Sequence, residues 1–216
     1  MKKSVLSKLV DRFVYGYELE EQIPVSNKHL VVAGDPAFDI DGKFIPLSLT
    51  ANDMERVQGL EEYEVCGFSM YPCGISNGDH IYVKRTHDVT FSSGDFLVVK
   101  VNPLDYTDEK VFFQYKLRRY LMDVEITDTF DDIVRKLRDI QPEICLDSYR
   151  LRLERKYKKS VKRYANEVKL SLSYTYKDGK FAYSFHPSKN IIGRVDFVYD
   201  KNKEKLVEAK AIEANC

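Results

Sequence analysis

The sequence predicts a mainly β fold, α+β overall, with a helix at the N-terminus and an α/β insertion late in the chain. Three observations carry this. Between Tyr63 and Lys116, short runs rich in β-branched and aromatic residues follow turn signals: Gly78-Asp79 before IYVK, Gly94-Asp95 before FLVVKV, and a polar loop, Asp105 to Glu109, before VFFQYKL. Residues 168–185 alternate apolar and polar on both sides of Asp178-Gly179, the pattern of a hairpin. Helical spacing is confined to the N-terminus and to residues 121–165.

In chain order, Val5, Leu6, Leu9, Val10, Phe13, Val14 and Tyr17 recur at helical spacing, giving one amphipathic helix that ends near Gly16. A helix-turn-helix module needs about three helices, and the chain turns extended soon afterwards. Residues 29–34, HLVVAG, form a short strand that stops at the turn pair Asp35-Pro36. After the central strands, Thr127-Asp128 opens a helix carrying Phe130, Ile133, Val134 and Leu137, with Pro142 beyond its end. A second helix is predicted from about Ser148 to Ala165, with Leu153, Tyr157, Val161 and Tyr164 on one face. The hairpin follows, then the strand IIGRVDFVYD and a polar tail.

With 216 residues, the length favours one domain or one domain with a large insertion. Hydrophobic residues are 44% of the chain, enough for a packed core rather than a disordered one. Lys plus Arg and Asp plus Glu are 34 each, so the chain lacks the basic surplus typical of nucleic-acid binders. A local basic patch remains open. Residues 150–163, RLRLERKYKKSVKR, hold eight basic side chains, read either as a phosphate-contacting helix or as a solvated face paired with the acidic segment before it. No apolar run approaches the roughly 18 residues of a membrane span, and Lys8, Asp11 and Arg12 interrupt any signal-peptide core. The expectation is a soluble, cytoplasmic chain. Cys66, Cys73, Cys145 and Cys216 lack metal-ligand spacing and read as reduced thiols. His87 and His186 have no metal-like partners, and no nucleotide fingerprint is present, so no cofactor is expected.

The stretch that carries chemistry is GFSMYPCGISNGDHIYVK, residues 67–84. A lone Ser in such a loop is ordinarily a turn residue. Here Ser69-Met70, Gly74-Ile75 and Gly78-Asp79 before an apolar strand resemble the nucleophile segment of the LexA/UmuD family of self-cleaving serine/lysine peptidases, and Tyr71-Pro72 resembles type I signal peptidases, which share the catalytic pair. The resemblance covers residues 29–120 and 188–200, where Ile191 to Val198 is similar to the family's closing strand; residues 121–187 would then be partly an insertion. It implies a twisted β catalytic domain over 34–216, preceded by an arm, 1–33, that contains the amphipathic helix.

The resemblance also implies roles. Ser69 would be the nucleophile, and a lysine its general base, because a hydroxyl of high pKa needs a base beside it and burial disfavours the charged amine. Lys116, in FFQYKLRR, resembles the family's lysine; Leu117 before Arg118-Arg119 is a departure. A register anchored on Val111 would instead put Gln114 there and leave a catalytically inactive regulatory or binding module; both residues share a strand face. Lys84 and Lys100 match non-catalytic strands. Backbone N–H groups of Phe68 and Ser69 would hold the oxyanion. The family cuts itself at an Ala-Gly or Cys-Gly bond, and Ala33-Gly34 lies 35 residues before Ser69, within an extended run able to add as a strand. The implied partners are the chain's own N-terminal segment as substrate, a second copy in a dimer and a RecA-type filament in a DNA-damage or mobile-element response. A peptidase acting in trans is the remaining reading.

Overall fold

The computed structural model describes residues 29–32, 49–85, 90–100, 115–141, 149–177 and 180–212. The expected N-terminal helix, Gln114, His87, and Ala33-Gly34 lie outside them. The elements are β1 His29–Val32, α1 Ala51–Arg56, β2 Glu61–Cys66, β3 His80–Arg85, β4 Phe96–Lys100, β5 Tyr115–Glu125, α2 Phe130–Ile140, α3 Arg150–Arg163, β6 Lys169–Lys177, β7 Lys180–Pro187, β8 Ile191–Asp200 and β9 Lys205–Glu208. The fold is mainly β, a curled and largely antiparallel sheet, with the two longer helices between β5 and β6.

Period-two alternation decides which side chains each strand buries. Tyr63 and Val65 of β2, Ile81 and Val83 of β3, Phe96 and Val98 of β4, and Leu117 of β5 turn into one core with Met70 and Ile75. The opposite face of β4 buries Leu97 and Val99 against Tyr120. β5 is long enough to serve two cores. An irregularity between Tyr120 and Met122 shifts its register against β6, so that Leu121, Met122 and Val124 join a second core under the helices. That core takes Ile133, Val134 and Leu137 from α2 and Leu153 and Tyr157 from α3. α2 begins two residues later than the sequence predicts. Thr129 is its N-cap and forms a capping box with Asp132. Asp128 instead accepts from the Glu125 N–H and from Lys136. α1 was not expected; its signal is Thr50 with Asp53 three residues on, where the Thr50 hydroxyl accepts from the Asp53 N–H.

The strand order is β1-β2-β3-β8-β4-β5-β6-β7, with β9 on β8. β1 also pairs with β5, so the run from β1 to β5 closes on itself as a ring. β8, the strand predicted over IIGRVDFVYD, lies in it between β3 and β4. It lies so close to β3 that a Cβ at Gly193 would sit 2.4 Å from the Lys84 carbonyl oxygen, which only glycine permits. No helix among the described residues is long and apolar enough to cross a membrane.

The cysteines depart from expectation. Cys66 is a free thiol, but the wholly buried Cys73 is disulfide-bonded, and its partner lies outside the described residues. The reading of four reduced thiols is corrected accordingly. The spacing gave no sign of the pair, because a disulfide depends on three-dimensional approach rather than on sequence interval. One disulfide in a chain of four cysteines leaves two thiols to label. A maleimide reagent added to unfolded, unreduced protein should label two cysteines, and four after reduction; four before reduction would remove the bond.

Candidate active site

β2 and β3 are joined by an excursion that carries Ser69 out of the sheet. It is pinned at its base, where the Gly78 N–H donates to the Val65 carbonyl at 2.7 Å and the Val65 N–H to the Asp79 carbonyl at 2.8 Å. The buried Asp79 carboxylate accepts from the Ser76 N–H at 2.6 Å and the Lys201 N–H at 3.1 Å, tying the loop to the turn after β8. Burial pushes the Asp79 carboxyl up, and those two N–H groups oppose the rise. At the tip, Met70 fills the core completely. Tyr71–Cys73 make one 3-10 turn with Pro72 in its first turn, ended by Gly74 at φ +79°, where an added Cβ would meet Ile212. The segment is therefore clamped on both sides of Ser69.

Ser69 itself is half-buried, and it docks on β6. Its carbonyl accepts from the Tyr176 N–H at 3.1 Å, and its Oγ lies 2.6 Å from Thr175 Oγ1, either hydroxyl able to donate. The hydroxyl partner is thus Thr175, a residue that sequence reasoning missed, rather than Lys116. The N–H groups of Phe68 and Ser69, expected to hold an oxyanion, make no hydrogen bond among the described residues. Phe68 is exposed beside them.

Lys116 is half-buried in β5, the strand next to β6. It stands opposite Val99 of β4 on one side and Val32 of β1 on the other. β1 runs parallel to β2, from His29 opposite Tyr63 to Val32 opposite Cys66. Val32 is therefore flanked by Cys66, three residues before the nucleophile, and by Lys116. With strands about 4.8 Å apart, those two backbones are roughly 10 Å apart across β1. Ala33-Gly34 begins one residue beyond Val32. Lys84 is exposed, and so is Lys100.

The Lys116 side chain alternates away from Tyr115 and Leu117, which pack with Met70, and lines a cavity of about 260 Å³ between the sheet and α3. Arg118, Lys156 and His186 line it too. Burial, then the charges of Arg118, Lys116 and Lys156, pull the His186 imidazole down to about 3. Lys156 donates to the Tyr183 carbonyl at 2.6 Å and is lowered to about 8 by burial and by Arg152 and Arg118. The lowered His186 value has a consequence for stability. Between about pH 3 and the ordinary histidine value near 6.5 the unfolded chain binds a proton that the folded chain does not, so stability falls as pH drops through this window. The slope from one such group is at most about 1.4 kcal/mol per pH unit. Urea midpoints from pH 7 to 4 should show it, and His186→Gln should flatten it; an unchanged slope would place the acid sensitivity elsewhere.

Among the described residues, the acidic and basic segments expected to pair do so at Arg150 and Asp131, 2.5 Å apart. Another ion pair of α3 is local, Lys158 to Glu154 one turn apart. The chain matches no protein-family model, no curated protein and no solved structure.

Proposed function

We propose that the protein is a serine/lysine peptidase that cuts its own chain between Ala33 and Gly34 as a regulatory step. The observation that carries this reading is the place of β1. Its last residue, Val32, is registered against Cys66 on the Ser69 side and against Lys116 on the other. An extended segment added as a strand is how peptidases commonly hold a substrate backbone. Tethering makes the attack intramolecular, which is worth many orders of magnitude in effective concentration.

The chemistry assigned to the residues is as follows. Lys116, neutral, takes the proton of Ser69 Oγ while Oγ attacks the Ala33 carbonyl carbon. The developing oxyanion is met by the Phe68 and Ser69 N–H groups. The Lys116 ammonium returns the proton to the Gly34 nitrogen as the C–N bond breaks, leaving an acyl-enzyme ester that water then hydrolyses. The Ser69 hydroxyl must turn from Thr175 to deliver its proton to the amine. Incubated at alkaline pH, the purified chain should yield a product beginning at Gly34, identified by N-terminal sequencing and intact mass. Any other start, or none, would refute the assignment.

The Ser69–Thr175 bond favours a second reading, a non-catalytic binding module in which the hydroxyl only fastens the loop to β6. The same incubation separates the two.

A further inference from the structure

The cavity beside Lys116 has a composition that self-cleavage does not require. Lys100 comes from β4, Lys116 and Arg118 from β5, and Lys156, Lys159 and Arg163 from α3. Among the described residues that line it there is no carboxylate. Six of the described lining residues are thus basic, in a chain whose acidic and basic residues are equal in number. The helix arranges its share by periodicity. Lys156, Lys159, Ser160 and Arg163 fall at i, i+3, i+4 and i+7, one flank of α3, while Leu153, Tyr157 and Val161 occupy the flank in the core. Three polar groups in the cavity are committed to little else. Lys156 spends one of its three donors on Tyr183 O, and Lys159 makes no ion pair among the described residues. The buried His186 Nε2 has no hydrogen-bond partner among them either.

We propose that this cavity binds a small phosphate-bearing polyanion, with Lys156 and Lys159 contacting the phosphate oxygens and the Ser160 hydroxyl donating to them. The volume, about 260 Å³, suits a short run of phosphates. The cavity is walled by helix on one side and sheet on the other, and its aromatic lining is limited to Tyr183 and Phe185, unlike the stacking platforms that hold single-stranded nucleic acid. The proposal does not rest on self-cleavage, since binding is read directly.

The test is calorimetric titration of the full chain with inorganic tripolyphosphate, and in a separate arm with a single-stranded twelve-nucleotide DNA. Tripolyphosphate should bind at one site per chain. Lys156→Met should weaken it at least tenfold, and Lys159→Met, at an exposed position that folding tolerates, at least fivefold. Lys158→Met, on the same helix but paired with Glu154, should change it less than twofold. Absence of saturable binding would overturn the proposal. So would equal losses in all three variants, which would mean diffuse attraction to the helix. Tighter binding of the oligonucleotide, lost in Lys156→Met, would overturn it in favour of a nucleic-acid groove.

Discussion

Ser69→Ala should remain a single chain of 216 residues under conditions in which the native protein separates into residues 1–33 and 34–216 on a denaturing gel. The expected loss is about a thousandfold or more in the first-order rate, because removing the nucleophile removes the covalent route itself. Fold should survive. Ser69 is half-buried, and its carbonyl bond to the Tyr176 N–H does not depend on the side chain. The lost Thr175 partner should cost about 1 kcal/mol, within the usual range for a single hydrogen bond. Lys116→Ala should abolish cleavage to the same degree, and the double variant should be no slower than either single one, since nucleophile and base act as a unit. Equal cleavage in Ser69→Ala would assign the cut to another agent. Cleavage lost in Ser69→Ala but retained in Lys116→Ala would leave the nucleophile in place and transfer the base to another residue.

The cleavage rate should rise about tenfold per pH unit from neutrality. A lysine serves as general base only when neutral, and an ordinary lysine, with a pKa near 10.4, is almost wholly charged at pH 7. The rise should level off where Lys116 is half neutral. Working downward in pH, protonation of the base removes activity in proportion to the neutral fraction, so the sign is fixed: faster in alkali, slower in acid. The measurement is the first-order rate from pH 6 to 10, with circular dichroism confirming the fold throughout. A flat or falling profile would exclude a lysine base. A bell centred near pH 6.5 would indicate a histidine instead. His87 would then be the residue to replace first.

The strands from β2 to β8 were legible because alternation and Gly-Asp turns are local signals, and β3 and β4 follow those turns as expected, whereas β9 lies in what reads as a polar tail. The Ser69 loop was legible for the same reason, its glycines and proline being confined to a few residues. What joins it to its surroundings was not. Thr175 lies 106 residues away in sequence, and nothing within SYTYK distinguishes the Thr that meets Ser69 from an ordinary strand residue. The parallel placement of β1 between β2 and β5 was equally invisible, because HLVV pairs as readily in either direction and no turn constrains it. Residues 150–163 revealed their basic character and their core stripe of Leu153, Tyr157 and Val161. Which flank of that helix faces the sheet depended on how α3 lies against β7, a long-range contact.

The double pairing of β1 bears on what a cut at Ala33 would leave behind. A severed peptide bond does not sever the ladder, and residues 29–32 would still share backbone hydrogen bonds with β2. The immediate outcome would be a nicked molecule that travels as one particle in gel filtration and comes apart only in denaturant. If the short strand departed, it would uncover one edge of β2 and one edge of β5 together, a vacant slot bounded by unpaired backbone. Such a slot accepts any extended chain of suitable sequence, including the uncut arm of another molecule. Spontaneous exchange of arms between nicked and intact copies would then set how long the signal of a single cut persists.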